Sequence, residues 1–265
     1  MDYIKEYDNI IDFYRESVTF DEKEGNRSKF DEIMREDNSW FAGLSVKEAE
    51  ESKYIYKKGL DELKELDLNT VLGGSRAQYR WNEFDGDDLD YDRMLSGSPC
   101  MRQRIKKAGI GTGKIIDLYV NIAENCGVSS DKMLLKAFTA VQIADFLETN
   151  GYRVAIYVIE NTHCAGSYKG SDCNLYRVST CIKRAEEPLI KGMLLTCISP
   201  WYFRIHCFRH EAAKIKCSYG LGRAAPLGWK DTKERITLDT GECLTKDSVK
   251  EKLKKIEKLF EIENE

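Results

Sequence analysis

The stretch from residue 115 to 159 constrains the fold more than any other part of the sequence. Ile115-Ile116-Asp117-Leu118-Tyr119-Val120-Asn121-Ile122-Ala123 has the β-branched and apolar content of a strand. Asp131 opens a long helical pattern that runs to about Glu148, with Met133, Leu134, Ala137, Phe138, Val141, Ile143, Ala144 and Leu147 as its apolar set. Asn150-Gly151 then stops the helix, because glycine accepts the left-handed backbone needed just past a helix end. Val154-Ala155-Ile156-Tyr157-Val158-Ile159 follows as a second, apolar strand. Strand, long helix and apolar strand make a right-handed βαβ unit, so the two strands are expected side by side and parallel.

Around this unit the elements are shorter. Residues 175–182 read as a third strand, Pro188 as the first position of a helix reaching Cys197, and residues 235–239 as a further strand. From Ser199-Pro200 onward, a helix with Trp201, Ile205 and Phe208 on one face competes with a strand over residues 202–208, and periodicity leaves both open. Residues 246–262 form an amphipathic closing helix with Val249, Leu253, Ile256 and Phe260 inward. Residues 1–70 read as several short helices: Ile4, Tyr7, Ile11 and Tyr14 form one stripe, and Phe30, Ile33 and Met34 a second. Ser45 and Glu48 have capping-box spacing, and Leu60, Leu63, Leu66 and Leu68 continue the apolar face. The expected architecture is an open, mostly parallel α/β sheet flanked by helices, Rossmann-like in type, with an N-terminal helical appendage. Residues 1–80 are the acidic helical region, 81–113 an acidic strap and linker, and 114–265 the α/β core.

Charge is also uneven along the chain. Residues 1–95 hold 14 Lys and Arg against 25 Asp and Glu, a net −11; the remainder holds 27 against 20, a net +7. An acidic front does not seek phosphate backbones, and the surplus behind it is thinly spread. With 42% hydrophobic and 32% charged residues the chain is neither disordered nor collagen-like, and no apolar run approaches the ~18 residues of a membrane span. The start, Met1-Asp2-Tyr3-Ile4-Lys5-Glu6, lacks the apolar core of a secretory signal, and the nine cysteines are irregularly spaced. Reduced thiols in a cytosol, mostly serving as small buried hydrophobes, are the expectation.

Several motifs suggest chemistry and most stop short of it. Gly109-Ile110-Gly111-Thr112-Gly113-Lys114 resembles a phosphate loop, but the first glycine would fall on Ala108, and the segment precedes a strand. The acidic strap Asp85, Asp87, Asp88, Asp90 and Asp92 has Arg93 and Pro99 where a calcium loop needs Gly and Glu. It reads better as a surface or partner-facing edge, or as the intramolecular mate of a basic stretch downstream. That stretch, Arg204, Arg209, Lys214, Lys216 and Arg223, is interleaved with Trp201, Tyr202, Phe203, Phe208 and Tyr219, a pattern compatible with an anion or single-stranded nucleic acid. His206, Cys207, His210 and Cys217 are a weak zinc candidate, with the two histidines one helical turn apart. His163 and Cys164 are adjacent, so they point apart, and no third group orients them as a nucleophile pair. No catalytic residue, resident metal or cofactor is assigned.

Two resemblances add to this reading. The 114–160 unit resembles the opening of a von Willebrand factor A-type domain, whose first strand ends in Asp-x-Ser-x-Ser and whose metal-ion site lies at the carboxyl end of that strand. The matching positions here are Asn121-Ile122-Ala123-Glu124-Asn125, without the Asp or either Ser. A neutral amide does not supply the charge a hard divalent cation needs, so the resemblance implies a silent metal site, with Ser129, Ser130 and Asp131 nearby. Trp81, the run Gly86-Asp87-Asp88-Leu89-Asp90-Tyr91-Asp92-Arg93-Met94-Leu95-Ser96-Gly97-Ser98-Pro99-Cys100-Met101, the strand–helix–strand unit, and then Pro200, Arg204, Phe208 and Glu211 resemble a family of uncharacterised tailed-bacteriophage proteins. That resemblance implies a phage origin and no activity.

The expected function is therefore that of a non-catalytic, cytosolic binding factor. It would dock on a host or phage protein through the carboxyl edge of its sheet, where open α/β sheets bind ligands. The candidate surface comprises Asn121, Asn125, Ser129, Ser130, Asp131 and the loop 163–172. The alternatives are a nucleotide or nucleic-acid binder or enzyme with Arg204 and Arg209 in a sheet-edge pocket, and a virion or assembly component.

Overall fold

A computed structural model describes residues 2–18, 44–51, 78–83, 88–89, 91–105, 113–168, 170–217 and 223–260. In chain order the elements are β1 (Tyr3–Tyr7), α1 (Ile10–Val18), α2 (Val46–Glu51), β2 (Gln78–Asn82), β3 (Asp88–Leu89), α3 (Tyr91–Leu95), β4 (Met101–Ile105), β5 (Ile115–Asn121), α4 (Ser130–Thr149), β6 (Arg153–Tyr168), β7 (Ser171–Lys183), α5 (Lys191–Ile198), a π-helical turn (Tyr202–Cys207) running into α6 (Phe208–Lys214), β8 (Lys216–Cys217), β9 (Arg223–Ala224), β10 (Arg235–Leu238) and α7 (Lys246–Phe260).

The main sheet has the order β1-β7-β6-β5-β10, with β8 and β9 pairing onto the far part of β6. β5 and β6 are parallel, with Ile115 opposite Arg153 and Asn121 opposite Ile159, as the βαβ pattern requires. β10 adds to β5 and β1 to β7, both in parallel, while β6 and β7 form a long antiparallel hairpin. The α/β class and largely parallel sheet follow the sequence expectation; the hairpin is the departure. A separate antiparallel sheet, β2-β4-β3, holds Trp81, whose ring lies 4.2 Å from the Arg93 guanidinium.

Helices cover one face. Ile116, Leu118 and Val120 of β5 and Val154, Ile156 and Val158 of β6 alternate onto it and are buried. α4 is buried over most of its circumference, because it lies on the sheet and also packs against α5 and α7. Its apolar residues account for the cover, and Thr139 and Thr149 hide their hydroxyls by donating to the carbonyls four residues back, Leu135 and Asp145. α7 buries Val249, Leu253, Ile256 and Phe260, the stripe read from its periodicity.

The expectation of helices throughout residues 1–70 is corrected at its start. Tyr3–Tyr7 is a strand, pairing with residues 176–180. Tyr3 and Tyr7 are buried while Ile4, Lys5 and Glu6 are exposed; together with Ile11 and Tyr14 this edge-strand pattern imitates a helical stripe. α1 follows and buries Ile10, Phe13 and Tyr14 in the same core, so residues 3–17 are not an appendage. The Ser45–Glu48 capping box forms: the Ser45 amide donates to Glu48 at 2.7 Å and the Glu48 amide to Ser45 Oγ at 3.2 Å. The stripes at 30–34 and 60–68 lie outside the described residues, as do Asp85, Asp87 and Asp90. Asp88 sits in β3 and Asp92 in α3. α5 begins at Lys191, with Pro188 in the loop before it and not at the first helical position. The open choice after Ser199 resolves to helix, with a π-helical turn at its centre.

Candidate functional site

The carboxyl ends of β5 and β10 converge on Lys136, which projects from the second turn of α4 and is 2% exposed. Its ammonium donates to the main-chain carbonyls of Asn121, at 3.0 Å, and Asp239, at 2.8 Å, and to the Glu124 carboxylate. All three protons are thereby used. Glu124 also accepts from the Gly241 amide, at 3.0 Å, and from the Thr240 hydroxyl, at 3.3 Å. Beside it the Asn121 amide donates to Asp239 Oδ1 and to the Ala225 carbonyl, both at 2.9 Å. Burial opposes ionisation of Asp239, but the Leu227 amide, Asn121 and the Gly228 and Thr240 amides outweigh it and hold its carboxyl below the usual range. An internal ammonium thus neutralises Glu124 at the sheet edge, while the Asp239 carboxylate beside it is held by amide donors.

The sequence candidates distribute around this network. Asn121 and Ser130 are buried, whereas Asn125 and Ser129 on the β5–α4 connection and Asp131 at the start of α4 are exposed. Ser129 is the N-cap position of α4 but makes no side-chain cap bond, and Asp131 lies in the first turn. The β6–β7 hairpin extends past the edge and exposes His163, Gly170 and Asp172. Arg204, in the π-helical turn, is 1% exposed and its Nη2 donates to the Val128 carbonyl at 2.5 Å. Burial lowers its pKa to about 10. It therefore supports the β5–α4 connection from beneath, while Arg209 is half-buried one turn on in α6. A π-helical turn widens the helix by a residue and occurs often at functional positions; this one carries both Arg204 and His206, whose ring meets Tyr14 at 4.9 Å.

Among the described residues no group of three or more His, Cys, Asp or Glu is placed to hold a metal, and His206, Cys207 and His210 do not form one; the side chain of Cys217 lies outside what is described. His210 is instead held at both ring nitrogens: Tyr7 Oη lies 2.7 Å from Nε2 and Tyr176 Oη 2.5 Å from Nδ1. The Tyr7 hydroxyl also donates to Glu16, at 2.8 Å, which Lys214 meets at 2.8 Å near the surface. Burial, with Lys214 nearby, pushes the His210 pKa down to about 3, so the ring is neutral.

Behind Tyr176 lie two carboxyl groups that sequence reasoning did not single out. Glu160 of β6 and Glu211 of α6 are 2% and 0% exposed. Thr162 Oγ1 donates to Glu211 Oε1 at 3.3 Å, and the remaining carboxyl oxygens of the pair are buried against each other and Tyr176. Desolvation raises both pKa values, that of Glu211 to about 8, and the Glu211 charge raises Glu160 further. The available signal was a carboxylate closing an apolar strand, Ile159-Glu160, and only the fold brings Glu211 to it.

Among the described residues no helix covers the other face of the main sheet. Tyr119 and Tyr157 stack there at 4.9 Å, and Trp229 meets Tyr119 edge-on at 5.0 Å. The Arg235 and Arg177 guanidiniums stand 5.4 and 5.9 Å from the Trp229 ring. A cleft of about 540 Å³ opens between the start of α1, the end of β7 and the loop into α5, lined mainly by Ile10, Ile11, Ile182, Leu189, Ile190 and Met193. Its lysine, Lys183, is bound to the Val154 carbonyl at 2.7 Å and to Glu148 at 2.7 Å, and Asp8, Asn9, Cys181, Arg184 and Glu187 complete the lining. Among the described residues no helix is long and apolar enough to cross a membrane.

No curated protein and no solved structure matches the chain. One family model does, over residues 1–264, and its span takes in the main sheet, the buried carboxyl pair and the Lys136 network alike. The chain belongs to the family described as a domain of unknown function, DUF7192.

Proposed function

We propose that this protein is a non-catalytic, phage-encoded binding factor that docks on a host or phage protein through the carboxyl rim of a von Willebrand A-like sheet. The observation that carries the reading is the closure of that edge. Lys136, Glu124, Asn121 and Asp239 bond to one another, so the polar groups of that edge are already engaged within the fold. What the edge offers outward is the exposed connection with Asn125 and Ser129, Asp131 at the start of α4, and the projecting hairpin with His163 and Asp172. Such a rim suits docking by shape and surface charge better than capture of a small ligand in a pocket. The strap-to-Met101 pattern supports the phage assignment.

The test is affinity capture from an infected-host lysate with the wild-type chain, an Asn125→Arg/Asp172→Arg variant and an Ile11→Asp/Ile190→Asp variant. A stoichiometric protein retained by the wild type and the cleft variant, and lost by the rim variant, supports the reading. Equal capture by all three contradicts it.

A second reading, binding of a nucleotide or single-stranded nucleic acid, is favoured by the open face and not by Arg204. Stacked Tyr119 and Tyr157 near Arg177 and Arg235 combine ring faces with cations, as single-strand binders do. Quenching of intrinsic fluorescence by an oligonucleotide, abolished in Tyr119→Ala/Tyr157→Ala, would select this reading; no quenching removes it.

A further inference from the structure

Cys164 of β6 and Cys173 of β7 face each other across the hairpin with their sulfurs 3.2 Å apart. Neither is in a disulfide, and they are 7% and 1% exposed. The hairpin's register explains the approach. His163 pairs with Leu175 and Gly166 with Cys173, so two residues of β6, Cys164 and Ala165, oppose the single residue Asn174. A bulge of this kind turns one strand locally and re-aims its side chains, and here it brings the Cys164 thiol over the partner strand. There it donates to the Cys173 carbonyl at 3.2 Å, while the Cys173 thiol donates to the Leu175 carbonyl at 3.4 Å.

We propose that Cys164 and Cys173 form a redox-responsive dithiol, oxidised to an intramolecular disulfide by low-molecular-weight disulfides such as oxidised glutathione. A disulfide requires the sulfurs at about 2.05 Å, so closure needs a shift of roughly 1 Å, within reach of side-chain rotation beside a bulge. The exchange balances without further reagents. The Cys164 thiol, the more exposed of the two, loses its proton and attacks one sulfur of oxidised glutathione. A mixed disulfide forms and one glutathione thiolate leaves. Cys173, losing its proton in turn, attacks the Cys164 sulfur and expels the second glutathione thiolate. Two protein thiols are oxidised, one external disulfide is reduced to two thiols, and the two protons pass to the departing thiolates or to water.

Attack needs a thiolate and an approach path, which a fully buried thiol lacks. The pair lies close to the turn end of the hairpin, between the short β8 and β9 pairings on β6, and there Gly170 and Asp172 are exposed and Gly170 takes a positive φ of 80°. Brief opening of that end, without unfolding of the sheet, admits the oxidant. The remaining buried thiols are placed differently. Cys197 in α5 and Cys207 at the end of the π-helical turn are fully buried, and burial pushes both thiols far up. Cys243 is likewise raised by burial, to about 11. Closed, the bond ties β6 to β7 where their ladder slips, stiffening the projecting hairpin. In a reducing compartment such a bond is transient and reports oxidant load. The inference stands apart from the docking reading, since it needs no partner.

The test is incubation of the intact chain with oxidised glutathione, alkylation of remaining thiols and tryptic mass mapping. Cys164 falls in the peptide 154–169 and Cys173 in the peptide 170–177, so the bridge appears as a covalent link between two separate peptides. The expected result is that linked pair, two hydrogens lighter than the sum of the free peptides, reversed by dithiothreitol and accompanied by slower amide exchange in residues 162–174. Cys173→Ser should instead trap glutathione on Cys164. Recovery of both peptides alkylated while Cys126 or another thiol carries glutathione, or linkage of either cysteine to a different one, overturns the proposal.

Discussion

The Lys136 ammonium donates to the Asp239 main-chain carbonyl at 2.8 Å, tying the second turn of α4 to the carboxyl end of β10 across the top of β5. Replacing the lysine by methionine keeps most of the stem and removes the charge. Glu124 is then left buried without its cation, a situation that costs about 3–5 kcal/mol. Lys136→Met should lower the urea midpoint accordingly at unchanged slope. Adding Glu124→Gln should recover part of the loss, and the coupling between the two sites is read from the double-mutant cycle.

The buried acid pair makes stability fall as pH rises. The Glu160 and Glu211 pKa values are raised, that of Glu211 to about 8, so the folded chain holds protons that the unfolded chain has released above pH ~4.5. The stabilisation is full below ~4.5 and is lost through about 8. His210 acts oppositely: with its pKa lowered to about 3, its contribution is full above ~6.5 and declines on acidification. Between pH 6.5 and 8 the acid pair alone of these sets the slope. Urea midpoints measured across that interval should fall for the wild type and stay level for Glu160→Gln/Glu211→Gln, which should be more stable at pH 8 by about 1–3 kcal/mol.

Neutral His210 spans two tyrosine hydroxyls. Tyr7→Phe or Tyr176→Phe leaves one ring nitrogen buried and unpaired, at a cost of about 1–3 kcal/mol each. In the wild type, the His210 ring resonances should not titrate between pH 5 and 8; an ordinary midpoint near 6.5 would contradict the arrangement.

How far the sequence revealed this can be judged element by element. β5, α4 and β6 were legible because apolar runs of the right length are joined by a long helix with a glycine stop, and local pattern determines such a unit. α7 was legible from its stripe alone. β1 was not: a five-residue edge strand, buried only at Tyr3 and Tyr7, gives two apolar positions four apart, the same spacing as a helical turn. The antiparallel turn after β6 was hidden because Glu160, Asn161 and Thr162 break the apolar run, although the strand continues to Tyr168. At the sheet edge, Asn121 was visible as a candidate, but its partners Ala225 and Asp239 come from more than a hundred residues away. Lys136 looked like an ordinary polar position of an amphipathic helix, and only packing under the β10–α7 connection makes it internal.

The strand alternation has its own consequence. Leu118 is 0% exposed under α4, whereas Ile115 at the head of the same strand is 57% exposed. Leu118→Ala should cost about 2–5 kcal/mol, and Ile115→Ala should fall within about 0.5 kcal/mol of the wild type. Thermal unfolding of the pair checks the register of β5.

The docking account is tested most directly by hydrogen–deuterium exchange on the chain alone and bound to the protein it captures from infected host cells. The account predicts protection confined to residues 124–131 and 162–173, the two rim segments at the carboxyl end of β5 and β6. Protection that instead covers the Ile11 and Ile190 cleft, or the Tyr119 and Tyr157 face, would contradict it.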